Sequence, residues 1–533
     1  MNDNAISGNT VSDNEPMNNA AGIPASDEVT DAAETDASDV TDNVDADVEV
    51  DEEEDRRNHR GHPFLIVAGA ILLLGGASLL PWSKMTNGFI KDFNLFGQLT
   101  GETGDAGGNE VIDPELAKAM AEADSLARLP RMVDASGTTP VTPDQVKAPL
   151  SPRVNGQMVL EDYTVNSQGL AHLKAALSDT AKRPARIAVI GDSYIEGDIL
   201  TADIREQLQS AFGGCGVGYV PVSSHVAGFR QTVRENSSGW TGHDIRKGSD
   251  FKFAGLSGEH FTADAGAKVT LRGVDAKQHL DKWDNTRFLF VSPAAGTVTI
   301  TTDSGDHKFD VKGSPEVQCL TVPGSTTQAV MTTSVNGLQA LGMYLDGAKG
   351  IQVDNMSLRG NSGITHRNIS KELATQMREH VDYDLIILEY GMNALTSKQK
   401  DYEHYRGLME QTILHLKECY PKADIIMMGI GDRGQKIGGE VQSLPTSPYM
   451  TTAQRNAARN TGVIFWDTRE AMGGEGAVVE WRNKSLINPD FIHLNHKGGQ
   501  ELATRFVTTL TKYLDKPKVH KTPVSQTHKT TKR

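Results

Sequence analysis

Cysteine is scarce in this chain of 533 residues, which contains Cys215, Cys319 and Cys419 at wide separations. At most one internal disulfide can form from three thiols, and their spacing matches no zinc-binding or redox motif. Separate, half-buried thiols are therefore the preferred interpretation. The chain is too long for one hydrophobic core, so we expect two or three domains with additional tails.

Residues 1–55 contain no Lys, Arg or aromatic residue, but they hold 18 Asp and Glu side chains. Such a segment cannot bury enough apolar surface to offset chain entropy, so we predict a disordered acidic tail on the cytoplasmic side. A solvated spacer is the preferred interpretation over a partner-binding segment. This tail also explains the net charge of -16, because the rest of the chain carries 51 acidic and 53 basic residues. Binding of nucleic acid through a strong positive charge is therefore not indicated.

Charged residues are also absent from residues 63–82, which read PFLIVAGAILLLGGASLLPW. A run of this length is sufficient to cross a bilayer as a helix. A cleaved signal peptide is disfavoured because residues 1–62 are far too many for its basic leader. Arg56, Arg57 and Arg60 precede the run and predict a cytoplasmic amino terminus. We therefore predict a single-pass anchor in the inner (cytoplasmic) membrane, with the body of the chain in the periplasm or another extracytoplasmic space.

Two kinds of sequence pattern alternate along the body of the chain. Helix and buried-strand patterns cover 158–214 and return over 357–514, whereas 215–356 is a series of short β-like runs separated by turn residues. These patterns predict an α/β domain that is interrupted by an inserted β-sandwich or jelly roll. Residues 83–157 form a predicted linker with one short helix, and 515–533 form a basic, disordered tail.

The expected elements of the α/β part include one buried strand before a serine. We predict that this strand spans Ile187–Ile190 and that the helix following it ends near Phe212. The further predicted elements of this part are a helix near 166–180, a strand over 384–390, a helix over 399–419, a strand over 423–430, a glycine-rich loop over 431–448, a helix over 450–460, a strand over 463–466 and a helix over 497–514.

Asp192 and Ser193 follow Gly191 at the end of the first buried strand. A strand that turns sharply into a helix can present a hydroxyl at the carboxyl edge of a parallel sheet, where α/β folds bind ligands. We therefore predict that Ser193 is a nucleophile. An acyl-transfer site would also need a base, a group that orients the base and donors for the oxyanion.

Candidates for these roles occur later in the chain. Asp490 and His493 lie just before the last helix, at a spacing that puts both on one face of a turn. The nearby His496 is a weaker candidate for the base. Possible oxyanion donors follow strand ends or the β-rich insertion. They are the Asn393 side chain, which Gly391 would help to present, and the backbone amide of Gly363 or Gly360.

Together these motifs resemble the SGNH, or GDSL-type, esterase family. The family has four sequence blocks, and the chain matches them in order with Gly191-Asp192-Ser193, Gly363, Gly391-Met392-Asn393 and Asp490-Phe491-Ile492-His493. The resemblance implies a three-layer SGNH-hydrolase domain with a flavodoxin-like parallel sheet.

The resemblance also implies a role for each matching residue. Ser193 is the expected nucleophile, His493 the general base and Asp490 the residue that orients it. The oxyanion donors are expected to be the Ser193 and Gly363 backbone amides and the Asn393 side chain, with Gly360 as an alternative to Gly363. No cofactor or metal is expected.

A longer stretch, Gly191-Asp-Ser-Tyr-Ile-Glu196, is similar to the Gly-Asp-Ser-His-Ile-Gln motif of one subgroup. That subgroup includes peptidoglycan O-acetylesterases with a carbohydrate-binding-like β-domain inserted after the nucleophile. Tyr194 and Glu196 depart from its usual His and Gln, which leaves the substrate open. The resemblance implies an esterase acting on O-acetylated peptidoglycan or a related glycan. An O-acetyltransferase with the same triad and a non-catalytic glycan-binding protein are the alternatives.

Overall fold

The computed structural model describes residues 153–154, 157–247 and 251–515. The predicted acidic tail (1–55), anchor (63–82) and most of the linker and basic tail lie outside these residues. In the part of the chain that is described, no helix is both long enough and apolar enough to cross a membrane.

The strands are numbered here in chain order. They are β1 (Arg153–Val154), β2 (Gln157–Met158), β3 (Glu161–Asp162), β4 (Ala185–Gly191), β5 (Gly218–Val220), β6 (Val233–Asp244), β7 (Glu259–Gly273), β8 (Trp283–Ser292), β9 (Gly296–Thr302), β10 (Gly305–Val311), β11 (Ser314–Thr326), β12 (Gln328–Thr333), β13 (Gln339–Asp346), β14 (Ile351–Ser357), β15 (Leu385–Glu389), β16 (Asp424–Met428), β17 (Gly434–Ile437), β18 (Glu440–Ser443) and β19 (Ile464–Trp466).

The α-helices of the same residues are likewise numbered along the chain. They are α1 (Ala171–Leu177), α2 (Thr201–Phe212), α3 (Lys371–Arg378), α4 (Glu403–Cys419), α5 (Ser447–Thr461), α6 (Thr468–Met472), α7 (Ala477–Asn483) and α8 (His496–Leu514). Among them, α2 packs against α8, and α4 packs against α5.

A six-stranded sheet in the order β14-β4-β15-β16-β19-β3 forms the centre of the α/β part. All neighbours pair in parallel except β19 and the edge strand β3. Every residue of β4 is buried, which explains its continuous apolar run. Counted along the chain, the parallel strands have the order 2-1-3-4-5, which is flavodoxin-like and reverses direction between β4 and β15.

The residues between α2 and β14 form a separate antiparallel sheet of nine strands, β5 to β13. Its buried apolar side chains, among them Val269, Phe288 and Met331, form a core of their own. The sequence predicted a sandwich or jelly roll, and hydrogen bonds join all nine strands into one continuous network. The long strand β7 explains this connection, because it pairs with β13 near its start and with β12 near its end.

Two further details differ from the sequence-based expectations. β14 pairs in parallel with β4, so the parallel sheet resumes at Ile351, before the predicted boundary at 357. The predicted glycine-rich loop over 431–448 contains the antiparallel hairpin β17–β18. By contrast, α2 ends at Phe212, as its sequence pattern predicted.

A buried ion cluster joins the two sheets. Arg186 of β4 donates to Asp354 of β14 at 2.7 Å and to Asp346 of β13 at 2.6 Å. The three side chains are at most 4% exposed. Asp354 also accepts hydrogen bonds from the Tyr219 backbone amide of β5 and from the Tyr383 hydroxyl, both at 2.9 Å. One guanidinium group therefore ties the inserted sheet to the parallel sheet.

We expect Arg186→Met to destabilise the protein strongly, because it removes the buried cation that Asp354 binds and leaves Asp346 with only the more distant Arg287, at 3.8 Å. Breaking a buried ion pair on one side costs about 3–5 kcal/mol. Chemical denaturation followed by circular dichroism measures the change. As a control, Lys182→Met removes a surface pair whose side chains are 81% and 50% exposed, and it should leave the midpoint unchanged. Equal midpoints for the Arg186 variant and the wild type would contradict this role.

Candidate active site

The predicted site residues gather where the parallel sheet reverses its strand order. Ser193 follows the end of β4, and Asn393 lies in a 3₁₀ turn (Met392–Ala394) shortly after the end of β15. These two strands are neighbours, with Gly191 opposite Glu389. The carboxyl ends of strands at such a reversal are the usual ligand site of open α/β sheets.

Ser193, His493 and Asp490 form a continuous hydrogen-bonded chain. The distance from Ser193 Oγ to His493 Nε2 is 2.9 Å, and that from His493 Nδ1 to Asp490 Oδ2 is 2.7 Å. The His493 and Asp490 side chains are 27% and 44% exposed, so solvent and substrate can reach the pair. This arrangement is the one in which an imidazole takes a proton from a serine while a carboxylate fixes its tautomer.

The loop that carries Asp490 and His493 is held by its own polar groups. Asp490 Oδ1 accepts from the backbone amides of Ile492 and His493, both at 3.0 Å, while Oδ2 binds the imidazole. Asn488, which the sequence analysis did not identify, closes the loop with a 2.9 Å bond from its amide to the His493 carbonyl. Phe491 lies between them with φ of 59°, a strained conformation for a bulky residue.

These contacts determine the charge of Asp490. Partial burial acts to raise its pKa, but hydrogen bonds from the His493 ring and from the Ile492 and His493 amides outweigh burial. The pKa of Asp490 therefore lies below its usual value. The carboxylate consequently stays ionised over the neutral pH range, as a group that stabilises an imidazolium ion must.

Asp192 and Asn393 are directly bonded. Asn393 Nδ2 donates to Asp192 Oδ2 at 2.8 Å and to the Asn361 carbonyl at 3.1 Å. Asp192 is fully buried, and its Oδ1 accepts from the Tyr194 amide at 2.9 Å. Burial raises the pKa of Asp192 to about 7, against the opposing effects of the Tyr194 amide, the His493 charge and the Asn393 amide. Another buried carboxyl, Glu389, lies near Asp192, and burial together with the Asp192 charge raises its pKa well above its usual value.

The predicted glycine donor has an internal acceptor in this structure. The Gly363 amide donates to Asn361 Oδ1 at 2.8 Å, and Asn361 is itself completely buried. A side chain at Gly363 would lie 2.6 Å from the Tyr390 ring, at a backbone φ of 89°, so only glycine fits there. Gly363 and Asn393 can serve an oxyanion only by exchanging their present acceptors for substrate oxygen. Asn361 was missed as a site residue although it lies between the two candidate glycines, Gly360 and Gly363.

The remaining candidates lie around this centre. Gly391 has φ of 116°, a conformation suited to glycine, at the turn that presents Asn393. Gly360 lies beside Arg246, whose Nη1 would be 3.4 Å from an added Cβ atom. His496 begins α8, and its charged neighbours are Lys277, Asp203 and Asp198. The structure therefore does not bring His496 into the Ser193–His493–Asp490 chain. Within the described ranges, no cluster of three or more His, Cys, Asp or Glu side chains is arranged to hold a metal ion.

A comparison with solved structures identifies the fold. A peptidoglycan O-acetylesterase structure matches with a TM-score of 0.56 and 24% sequence identity, over 67% of this chain and 99% of that chain. The chain has the fold of this esterase. The likeness predicted from the four sequence blocks is thus confirmed at the level of the fold.

Weaker similarity extends to other solved structures. A family two carbohydrate esterase from Clostridium thermocellum, in complex with cellohexaose, matches at 12% identity and a TM-score of 0.25, over 49% of this chain and 96% of that one. A salicylyl-acyltransferase from a tetracycline biosynthetic pathway matches at 13% identity and a TM-score of 0.25, over 55% and 97%. No protein-family model and no curated protein sequence matches the chain.

We expect Asp192→Asn to be more stable than the wild type at pH 8 but less active. The folded-state pKa of Asp192 is about 7, against an ordinary value of 3.8. Ionisation of Asp192 therefore reduces stability progressively as pH rises from 4 to 7. Asparagine cannot ionise. The stability difference in favour of Asp192→Asn over the wild type should therefore grow over this range and disappear near pH 4. Thermal melts at several pH values measure it.

The same substitution removes one of the two carboxylate oxygens that accept from Tyr194 and Asn393. Turnover of an acetyl ester should then fall by about 10², the loss typical of one misplaced oxyanion donor. Asp179→Asn, at a side chain 50% exposed, is the control and should change neither property. A stability difference that is the same at every pH would refute the assignment of a buried, ionising Asp192.

Proposed function

We propose that this protein is a serine esterase that removes O-acetyl groups from peptidoglycan or a related envelope glycan. The observation that carries the proposal is the Ser193–His493–Asp490 chain of hydrogen bonds at the reversal point of the parallel sheet. The fold shared with a peptidoglycan O-acetylesterase supports the choice of ester.

In the proposed mechanism, Ser193 Oγ attacks the acetyl carbonyl while its proton passes to His493 Nε2. The tetrahedral intermediate collapses, and His493 returns the proton to the departing sugar oxygen, which leaves an acetyl-enzyme. Water then attacks this ester, with His493 again taking the proton and passing it to Ser193 as acetate leaves. Asp490 holds His493 in the required tautomer and stabilises the imidazolium ion.

The developing oxyanion is proposed to bind the Ser193 and Gly363 amides and the Asn393 side chain. Gly363 is held by Asn361, and Asn393 by Asp192 and Asn361, before substrate arrives. Their donors are thereby kept near the nucleophile in fixed positions, and a full negative charge is a stronger acceptor than the two neutral amide oxygens of Asn361 that Gly363 and Asn393 now bind. The exchange of acceptors is therefore favoured as charge develops.

The proposal also includes the location of the enzyme. The uncharged run over residues 63–82, preceded by Arg56, Arg57 and Arg60, supports a single helix in the inner membrane with its amino terminus in the cytoplasm. The esterase body would then work in the periplasm, where peptidoglycan is accessible. An acceptor sugar in place of water would convert the same chemistry into O-acetyl transfer.

We expect Ser193→Ala to abolish turnover of p-nitrophenyl acetate and release of acetate from O-acetylated peptidoglycan. Loss of the nucleophile should lower kcat by about 10⁴-fold or more. Ser178→Ala changes an exposed serine that only bonds the Ala175 carbonyl, and it should leave activity intact. Full activity in Ser193→Ala would overturn the mechanism. Acetyl transfer to a glycan without free acetate would instead identify a transferase.

We expect deletion of residues 63–82 to release the protein from membranes. Fractionation with and without this segment, together with protease accessibility in spheroplasts, gives the orientation. The body should be cleaved from outside, while the acidic tail stays protected. An intact body in spheroplasts treated with protease would contradict the proposed topology.

A further inference from the structure

A cleft of about 290 Å³ lies between the inserted sheet and the carboxyl edge of the parallel sheet. The esterase side contributes Glu196, Ser357 and Arg359, and the inserted sheet contributes Glu235, Trp240 and His243, among others. Its volume is close to the lower end of ligand pockets, about 300 Å³. The cleft therefore suits a unit of about one sugar ring rather than a long polymer.

The cleft adjoins the nucleophile. Glu196 begins the 3₁₀ turn (Glu196–Asp198) that follows the Ser193 loop. Ser357 lies opposite Gly191 in the sheet register, and the Leu358 amide donates to the Gly191 carbonyl at 2.8 Å. A ligand in the cleft would therefore lie beside a group bound at Ser193, on the side of the inserted sheet.

Trp240 gives this cleft a flat apolar wall. A β-bulge between Ser238 and Trp240 changes the register of β6 against β7, a device that redirects the following side chain. The indole Nε1 donates to the Lys268 carbonyl at 3.0 Å, so the polar edge of the ring is satisfied and its orientation is fixed. A half-buried, fixed indole can pack against the C–H face of a sugar with little loss of entropy.

The charged groups on the cleft walls are paired with one another: Glu196 with Arg359, Asp198 with Arg230 and Asp244 with Arg246. These three pairs leave no excess charge among them, which suits an uncharged ligand. Burial raises the pKa of Glu235 to about 7 and that of Glu259 to about 8. A protonated carboxyl both donates and accepts hydrogen bonds, as sugar hydroxyls require.

We infer that this cleft is a subsite for an uncharged sugar of the glycan chain, next to the sugar whose ester lies at Ser193, with Trp240 as the stacking surface. The inference rests on the proposed function, since it assigns a second contact for the same substrate.

Kinetics of the full-length protein with two esters test the subsite. Trp240→Ala should lower kcat/KM for O-acetylated peptidoglycan about tenfold, through KM, because an aromatic binding contact is lost. Turnover of p-nitrophenyl acetate, which is too small to reach the cleft, should stay within about twofold of the wild type. Trp240→Phe keeps a ring and should recover most of the loss.

An unchanged kcat/KM for the glycan in Trp240→Ala would overturn the inference. An equal fall for both esters would overturn it as well, because the indole would then support the fold rather than a ligand. Binding of N-acetylchitotetraose, an uncharged sugar chain without an ester, provides a readout that needs no catalysis. Calorimetry should detect it with the wild type and show it weakened in Trp240→Ala. Failure of the proposed function would appear differently, as a wild type inactive on both esters.

Discussion

The buried guanidinium of Arg186 is the constraint on which the arrangement of the two sheets depends. A charge placed where side chains are at most 4% exposed requires carboxylates beside it, and these come from β13 and β14. Because Asp346 belongs to the inserted sheet and Asp354 to the parallel sheet, neutralising the charge also fixes one sheet against the other. Asp354 adds the Tyr219 amide of β5 to the same cluster, so both ends of the insertion are held beside β14.

This attachment explains how an insertion of this size leaves the catalytic sheet intact. The insertion leaves after α2 and returns at β14, where the Ile351 amide donates to the Gly213 carbonyl at 2.9 Å. Its start and end are therefore adjacent, and β14 continues as the neighbour of β4. The six-stranded sheet keeps its order, and Ser193 and Asn393 keep their places at the reversal point. The inserted sheet also reaches the carboxyl edge near Ser193, where its residues Glu235, Trp240 and His243 line the cleft.

Sequence patterns were sufficient to predict the elements whose side chains all lie in one kind of environment, such as a fully buried strand. The apolar runs of β4 and β15 and the glycine after Phe212 are such local signals, and the Asp490–His493 spacing predicted a shared turn that the structure contains. β14 was assigned to the insertion, and its apolar pattern is interrupted by Gln352, Asp354 and Asn355. Asp354 and Asn355 are buried with partners distant in sequence, Arg186 and the Ile195 carbonyl. Such pairings have no periodic signature, and the same is true of the bonds from Gly363 and Asn393 to Asn361.

The polar residues of the structure also fall into two groups, those that contact the site residues and those that line the cleft. Asp490, Asn361 and Asp192 act on groups within the site itself, and a change in any of them alters the positions of reacting atoms or of oxyanion donors. Trp240, Glu235 and His243 belong to the inserted sheet and line the cleft without bonding to the triad. Under the proposed function, substitutions there would alter which glycan binds while the hydrogen-bonded chain from Ser193 to Asp490 is unaffected. Tyr194 and Glu196, which depart from the related subgroup, differ in the same way: Tyr194 is buried in the α/β core, whereas Glu196 faces the cleft and binds Arg359. The departure at Glu196 therefore lies in the proposed subsite, and the departure at Tyr194 lies in the packing beneath Ser193.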